Sequence, residues 1–374
     1  MLYKNFAFNV KYKDPKSSAR IGIVKTPHGN VETPNFIFCA TKAAIKGMTP
    51  DQMRECGTQI ILSNTYHLML QPGGEMVEKM GGLQKYTGWN GPMFTDSGGF
   101  QIFSLGYGSV ANEIKGKRGH IRPKTIRKIT EEGASFRSYV NGDIHLLTPE
   151  KSIEIQRQLG ADLIVVLDEC TPFHVDKSYT ERSMHLSHRW AMRSLAEFVK
   201  GDDGSQALYG IVQGGVYEDL RKEAANFVNQ NDFFAHAIGG SLGASKNQMY
   251  DVVGTTMSCL SKERPVHLLG IGGIRDIFYG VRQGIDTFDC VHPTRLARHA
   301  GALIKGGEKE HISLTNSRFK DDDKPIDESC NCKCCKTFSR SYLHHLFKAK
   351  ELLGMQALTI HNVTFMNKLM SDIR

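Results

Sequence analysis

Three carboxylates each follow a short apolar run, and that placement is the first chemical signal in the chain. Asp96 ends Met93-Phe94-Thr95-Asp96 and opens Ser97-Gly98-Gly99-Phe100-Gln101, where the paired glycines let backbone amides approach a ligand. A carboxylate there binds an amidine-like base edge or moves a proton. Asp168 follows five apolar residues, Leu163 to Leu167, and opens Asp168-Glu169-Cys170; an N-cap for the next helix is its plainer reading. Asp289 closes Thr287-Phe288-Asp289 ahead of Arg295 and Arg298, so a salt bridge is its plainer reading. Brought into one pocket, the three acids suit chemistry at a glycosidic carbon. One carboxylate attacks or stabilises an oxocarbenium-like centre while another manages protons. Sequence spacing gives no separations, so it does not divide the labour among them.

The second signal is Cys330-x-Cys332-x-x-Cys335, with His361 after 25 intervening residues. Three thiolates and one imidazole make the closed tetrahedral set of a structural zinc site. Cys334 competes with Cys335 for the third thiolate, and adjacent cysteines do not easily face one ion; Cys335 is favoured. His344 and His345 compete with His361, and spacing alone does not separate them. The other five of the nine cysteines, Cys39, Cys56, Cys170, Cys259 and Cys290, are scattered. An odd total without a secretion signal argues for reduced thiols and a cytoplasmic location.

Elements that could position these groups are legible as alternation. Apolar runs at 60–64, 93–96, 163–168, 208–213, 235–240, 267–270 and 287–289 read as strands buried on both faces. Between them, Ser178 to Val199, Glu218 to Gln230 and Gln248 to Leu260 carry apolar residues every three or four positions, as amphipathic helices do. Strand then helix, about seven times, predicts an α/β fold of the (β/α)8 TIM-barrel type, with functional groups at the carboxyl ends of the strands. A doubly wound open sheet is the alternative, but no Gly-x-Gly-x-x-Gly turn follows an early strand. Two segments break the alternation. Phe136 to Leu147 alternates about Asn141-Gly142, which predicts a β-hairpin insertion with a type I′ turn. Lys320 to Phe338 is charged, poor in apolar residues and holds the cysteine cluster, which predicts a loop-rich zinc subdomain inserted into the barrel, at about 306–365 of a single domain spanning 1–374.

Composition narrows the function class. A 40% hydrophobic chain with no apolar stretch near the roughly 18 residues of a membrane span is expected to be soluble. The formal charge of +8 is moderate, but Lys115, Lys117, Arg118, Arg122, Lys124, Arg127 and Lys128 follow one another with no acid between them, a footprint suited to phosphates or a solvated loop face.

The motifs resemble the queuosine-type tRNA-guanine transglycosylase family over nearly the whole chain. Ser63-Asn64-Thr65-Tyr66-His67-Leu68, Thr95 to Gln101, Asp168-Glu169-Cys170, Val212-Gln213-Gly214-Gly215, Ile238-Gly239-Gly240, Leu269-Gly270-Ile271-Gly272, Phe288 to Arg298 and the Cys/His set stand in family order. The resemblance implies exchange of the guanine at wobble position 34 of tRNAs with GUN anticodons, those for aspartate, asparagine, histidine and tyrosine, for a deazaguanine. It implies Asp289 as the nucleophile on C1′ and Asp96 as the proton acceptor and donor. Asp96, Ser97, Gly98, Gly99, Phe100, Asp168, Gln213 and Gly240 are then base-binding. Gly270, Ile271, Gly272, Gly273, Ile274, Arg275 and Asp276, with Thr294, Arg295, Leu296, Ala297 and Arg298, are tRNA-contacting. Cys330, Cys332, Cys335 and His361 hold one structural zinc ion per subunit, and the family is usually homodimeric. Base exchange conserves a glycosidic bond and so needs no ATP, and an anticodon loop presents its base unpaired at low cost.

One departure bears on the incoming base. After Gly239-Gly240 the chain reads Ser241-Leu242-Gly243-Ala244-Ser245. The common bacterial type resembles Leu-Ala-Val-Gly-Glu there, so the acid expected near an aminomethyl group is missing at Ser245, and Gly243 is expected to leave space for the cyclopentenediol of queuine. Two other readings compete: a non-catalytic accessory subunit, which would lack the acids, and a plain zinc-binding RNA module. The archaeal relatives carry further C-terminal RNA-binding domains, which a chain ending at Arg374 is expected to lack.

Overall fold

The computed structural model describes residues 2–107, 126–172, 175–306 and 309–374. Eight parallel strands close into a barrel in chain order. They are β1 (Asn35–Cys39), β2 (Ile61–Ser63), β3 (Met93–Thr95), β4 (Leu163–Val165), β5 (Ala207–Val212), β6 (Ala235–Ile238), β7 (Val266–Leu268) and β8 (Thr287–Asp289). Closure comes from β8 pairing with β1, Phe288 opposite Phe36 and Asp289 opposite Ile37. These runs stay strands because they are buried on both faces, by barrel interior and surrounding helices, so continuous apolar sequence is what the position demands.

Sequence alternation identifies β2 to β8 and not β1. Asn-Phe-Ile-Phe-Cys follows three antiparallel strands, Ala7–Lys13, Arg20–Thr26 and Gly29–Thr33, with only Pro34 between it and the last, so its run does not stand apart. The helices match more closely: Lys177–Lys200, Glu218–Gln230 and Lys246–Cys259 lie within two residues of the expected spans. Thr148, Asp176 and Ser245 cap their helices by accepting N–H bonds three residues on.

The insertion after β3 is a three-stranded antiparallel sheet, Ile126–Ile129, Ala134–Arg137 and Ile144–Leu147, not a lone hairpin. The turn is also longer than the type I′ expected from Asn141-Gly142. Ser138 N–H donates to Asp143 O at 2.8 Å and Gly142 N–H to Ser138 O at 3.1 Å, closing a loop over 139–142 with Gly142 at φ +82°. The basic run beginning at Lys115 lies outside the described residues as far as 125; Lys128 is exposed.

Acids at the two ends of the barrel differ in use. At the amino ends, Asp162 and Asp286 are fully buried. Asp162 accepts from Met93 N–H at 2.9 Å and Gln84 Nε2 at 3.1 Å, while Asp286 accepts from Arg20 Nε at 2.9 Å and Val266 N–H at 2.7 Å. They fasten strands to one another and to the N-terminal sheet. Past β8, a second hydrophobic core gathers Ala297, Ala302, Leu314, Phe319, Leu343 and Leu358 around the cysteine cluster. The helix Leu352–Ile373 joins the two cores: Asn362 donates to Pro293 O and Gly301 O, and Asn367 donates to Cys56 O. No described helix is long and apolar enough to cross a membrane.

Candidate active site and metal centre

A cavity of about 360 Å³ opens at the carboxyl ends of the barrel strands, lined by residues at the ends of all eight. Asp96, Asp168 and Asp289 all line it, with Ser97, Phe100, Gly240 and Gly270. The three acids converge because Asp96 and Asp168 are the first polar residues past β3 and β4 and Asp289 is the last residue of β8, all at the carboxyl end of one parallel barrel. Of the expected base-binding residues, Gly98, Gly99 and Gln213 stand just behind the wall. Gly98, at φ +84°, donates its N–H to Asp96 at 3.2 Å, and a Cβ on Gly99 would lie 2.7 Å from Asp168 O.

Asp96 accepts from Asn64 Nδ2 and, at 2.9 Å, from Thr65 N–H. Burial in the cavity wall raises its pKa to about 7, opposed by those backbone donors and reinforced by the charge of Asp289. Asp168 has its pKa raised to about 6, again by burial, with Gln213 Nε2 at 2.5 Å and Ser97 opposing. Gln213 Oε1 is buried with no hydrogen-bond partner among the described residues. Asp168 caps no helix, since Asp176 caps Lys177–Lys200.

Asp289 makes no ion pair with Arg295 or Arg298 among the described residues, so the salt-bridge reading gives way. Its Oδ1 accepts from Gly270 N–H at 2.8 Å and lies 3.1 Å from His267 Nε2. Cys39 Sγ is 3.5 Å from Oδ2, and burial followed by the Asp289 charge pushes that thiol well above its ordinary pKa, leaving it a neutral S–H donor. Sequence reasoning missed Cys39, Asn64 and His267. Asn64 ends an apolar run as the acids do and could have been found by that rule; His267 begins its run and reads as core.

The expected tRNA-contacting segments divide by exposure. Thr294, Arg295 and Arg298 line a second cavity of about 380 Å³ with Lys46 and His299, sharing Cys39, Thr41 and Val291 with the first. Leu296 and Ala297 face inward, Ala297 into the second core. In the other segment Gly270 lines the catalytic cavity and Gly272 packs against Phe36 and Cys290. Gly273 precedes the helix Ile274–Gln283, whose Ile274 and Arg275 N–H groups donate to Glu310. Arg275 is exposed and Ile271 half-buried, whereas Asp276 is buried, paired with Lys246 and accepting from Tyr250 Oη at 3.0 Å. Gly243 and Ser245 do not line the cavity. Gln248 fills the place a residue-243 side chain would take, its Oε1 2.6 Å from a Cβ there, and the Ser245 hydroxyl accepts from Gln248 N–H at 3.2 Å. The space expected from Gly243 is thus absent.

Cys330, Cys332, Cys335 and His361 bring one ligand atom each to within 4.8 Å of one another. His361 Nδ1 stands 3.8, 3.6 and 3.3 Å from the three sulfurs. A tetrahedral zinc ion with ordinary bond lengths would set nitrogen–sulfur edges of about 3.6 Å, so the set fits. His361 Nε2 is 2.9 Å from Leu303 O, which fixes Nδ1 as the free ligand atom. Among the competitors, Cys334 is buried outside the set, and His344 Nδ1 is 2.7 Å from Leu314 O.

Residues 14–374 match the family model described as queuine tRNA-ribosyltransferase. The chain is 47% identical to a protein of that name from a Roseiflexus species over 380 aligned residues, covering 98% of this chain and 95% of that protein. It is 46% identical to the one from a Thermoanaerobacter species, over 97% of this chain and 91% of that protein. With the one from Protochlamydia amoebophila it shares 42%, over 99% and 94%.

Proposed function

The chain belongs to the queuine tRNA-ribosyltransferase family and is a pentosyltransferase acting on tRNA guanine, and on that premise we propose that it exchanges the wobble guanine of GUN tRNAs through an aspartyl-ribose intermediate. The observation that carries the reading is that Asp96, Asp168 and Asp289 line one cavity of a size for a purine. Asp289, solvated on one side and held by N–H donors on the other, is the nucleophile on C1′. Asp96, with a pKa of about 7, gives a proton to the leaving base and takes one from the incoming base. Asp168 and Gly240 read the base edge from the cavity wall, and Gln213 supports that reading from behind it, donating through Nε2 to Asp168. Ser97, Gly98, Gly99 and Phe100 shape the same wall, with Phe100 exposed at its rim.

The segments Gly270 to Asp276 and Thr294 to Arg298 contact tRNA, chiefly through Gly270, Arg275, Arg295 and Arg298. Cys330, Cys332, Cys335 and His361 would hold zinc, which supplies a structural crosslink of the second core and takes no part in the reaction. We read 306–365 as the zinc-binding subdomain, the enzyme as a homodimer, and its location as the cytoplasm.

The incoming base is the aminomethyl precursor or queuine itself; Gly243 and Ser245 stand outside the cavity lining and do not select between them. Exchange into tRNA carrying labelled guanine-34 decides between them: efficient use of the precursor with none of queuine ends the queuine reading. For the reaction itself, Asp289→Asn is expected to bind tRNA and exchange no base. An accessory subunit or plain RNA module would show no exchange in the parent chain either.

A further inference from the structure

Asp289 meets its strong donors on one oxygen only. Gly270 N–H and His267 Nε2 both address Oδ1, whereas Oδ2 has the weak thiol donor of Cys39. The arrangement follows from strand register. His267 on β7 is the cross-strand partner of Thr287 on β8, and Asp289 lies two residues further along β8 on the same face. One imidazole therefore reaches both: Nδ1 is 2.9 Å from Thr287 Oγ1 and Nε2 is 3.1 Å from Asp289 Oδ1.

A carboxylate only accepts, so Nε2 must carry hydrogen, and the Thr287 hydroxyl is free to donate to Nδ1. The ring is fully buried, with Phe94 set edge-on against it at 5.0 Å and 88°, so it is held in that orientation.

Resting on the reading of Asp289 as nucleophile, we infer that His267 is its positioning residue: fixed as the Nε2–H tautomer by Thr287, it holds Oδ1 with Gly270 and leaves Oδ2 as the atom that attacks C1′. A pair on Oδ2 forms the bond to C1′ while the C1′–N9 pair leaves with guanine, which takes the Asp96 proton. In the return half the incoming base surrenders a proton to Asp96, its N9 pair displaces Oδ2, and the carboxylate charge reforms against the two N–H donors. His267 keeps its proton throughout. Its function is to set which oxygen is free and to meet the charge on the other.

The test uses full-length enzyme and whole tRNA, reading kcat, tRNA Kd, covalent tRNA–enzyme complex on denaturing gels, and thermal melting. His267→Phe keeps a ring and removes the donor; it should lower kcat about 10- to 100-fold, the range of one charge-assisted hydrogen bond, with Kd for tRNA within about twofold of the parent. His267→Gln carries an N–H near the same place and should recover most of that loss. Thr287→Val, which leaves the tautomer unset, should lower kcat about 3- to 10-fold. Parent-like turnover in His267→Phe overturns the inference, as does equal loss in His267→Gln and His267→Phe at equal melting temperature. Should His267→Phe not fold, Thr287→Val decides: unchanged kcat overturns the inference. Asp289→Asn separates the premise from the inference, because exchange or covalent complex persisting in that variant sinks the nucleophile reading itself.

Discussion

The carboxyl groups of Asp96 and Asp289 line one cavity, and the negative charge of Asp289 adds to burial in raising the Asp96 pKa to about 7. Asp96 therefore gains and loses its proton near neutrality, as a group that must donate to one base and accept from the next requires.

Guanine release should accordingly fall as pH rises through about 7, where Asp96 loses the proton it gives to the leaving base. A single-turnover pH profile checks this; a rate that keeps climbing well above pH 7 counts against Asp96 as the acid. Stability should move the same way. A carboxyl whose pKa is raised on folding favours the folded state below its ordinary value of 3.8, and that contribution is lost as pH rises through about 7. Asp96→Asn should flatten the slope of melting temperature against pH in that window.

Asp168 should govern base affinity. Replacing it with Asn puts a donor where the base N–H groups need an acceptor and should raise KM for the incoming base about 100-fold or more. With Asp168 intact, base affinity should weaken as pH falls below about 6, where the carboxylate takes up a proton. Competition by free guanine across pH reads both effects, and a pH-independent affinity would remove Asp168 from the base edge.

Arg221 should matter to the site without touching it. Fully buried, it donates to Gly215 O, Val212 O, Gly239 O and Ser241 O, tying together the loops that carry Gln213 and Gly240. Burial lowers its pKa to about 9. Arg221→Met leaves those carbonyls unpaired and should destabilise the fold by about 2–4 kcal/mol while weakening base binding. Chemical denaturation and guanine inhibition measure the two; loss of stability with unchanged inhibition would limit Arg221 to the scaffold.

Metal content should separate Cys335 from Cys334. Cys335→Ser and His361→Ala should each lose the zinc ion and expose amides of the second core to hydrogen exchange, while the barrel strands stay protected. Cys334→Ser should keep the ion. Zinc retained in Cys335→Ser and lost in Cys334→Ser would reverse the ligand assignment.

Much of this molecule is legible in one dimension. Barrel strands buried on both faces must be continuously apolar, so runs such as Leu163 to Leu167 announce themselves, and the polar residue ending each run marks the functional end. Asp96, Asp168 and Asp289 stand out by that rule, and three thiols within six residues can hardly serve anything but a metal. β1 escaped because only Pro34 separates its run from the preceding antiparallel strands, and the sheet over 126–147 escaped because a single alternating segment does not reveal its third strand.

Tertiary structure alone decided what depends on register between segments distant in the chain. His267 looks like any core residue until strand pairing places it opposite Thr287 and within reach of Asp289. Spacing could not choose among His344, His345 and His361; the choice required the helix Leu352–Ile373 to fold back onto the cysteines. The raised pKa of Asp96 likewise arises from enclosure and from the Asp289 charge on another strand, and that of Asp168 from enclosure, opposed by Gln213. A chain pattern records which side chains prefer burial and where a run stops, whereas distances across a closed barrel exist only once all eight strands have paired.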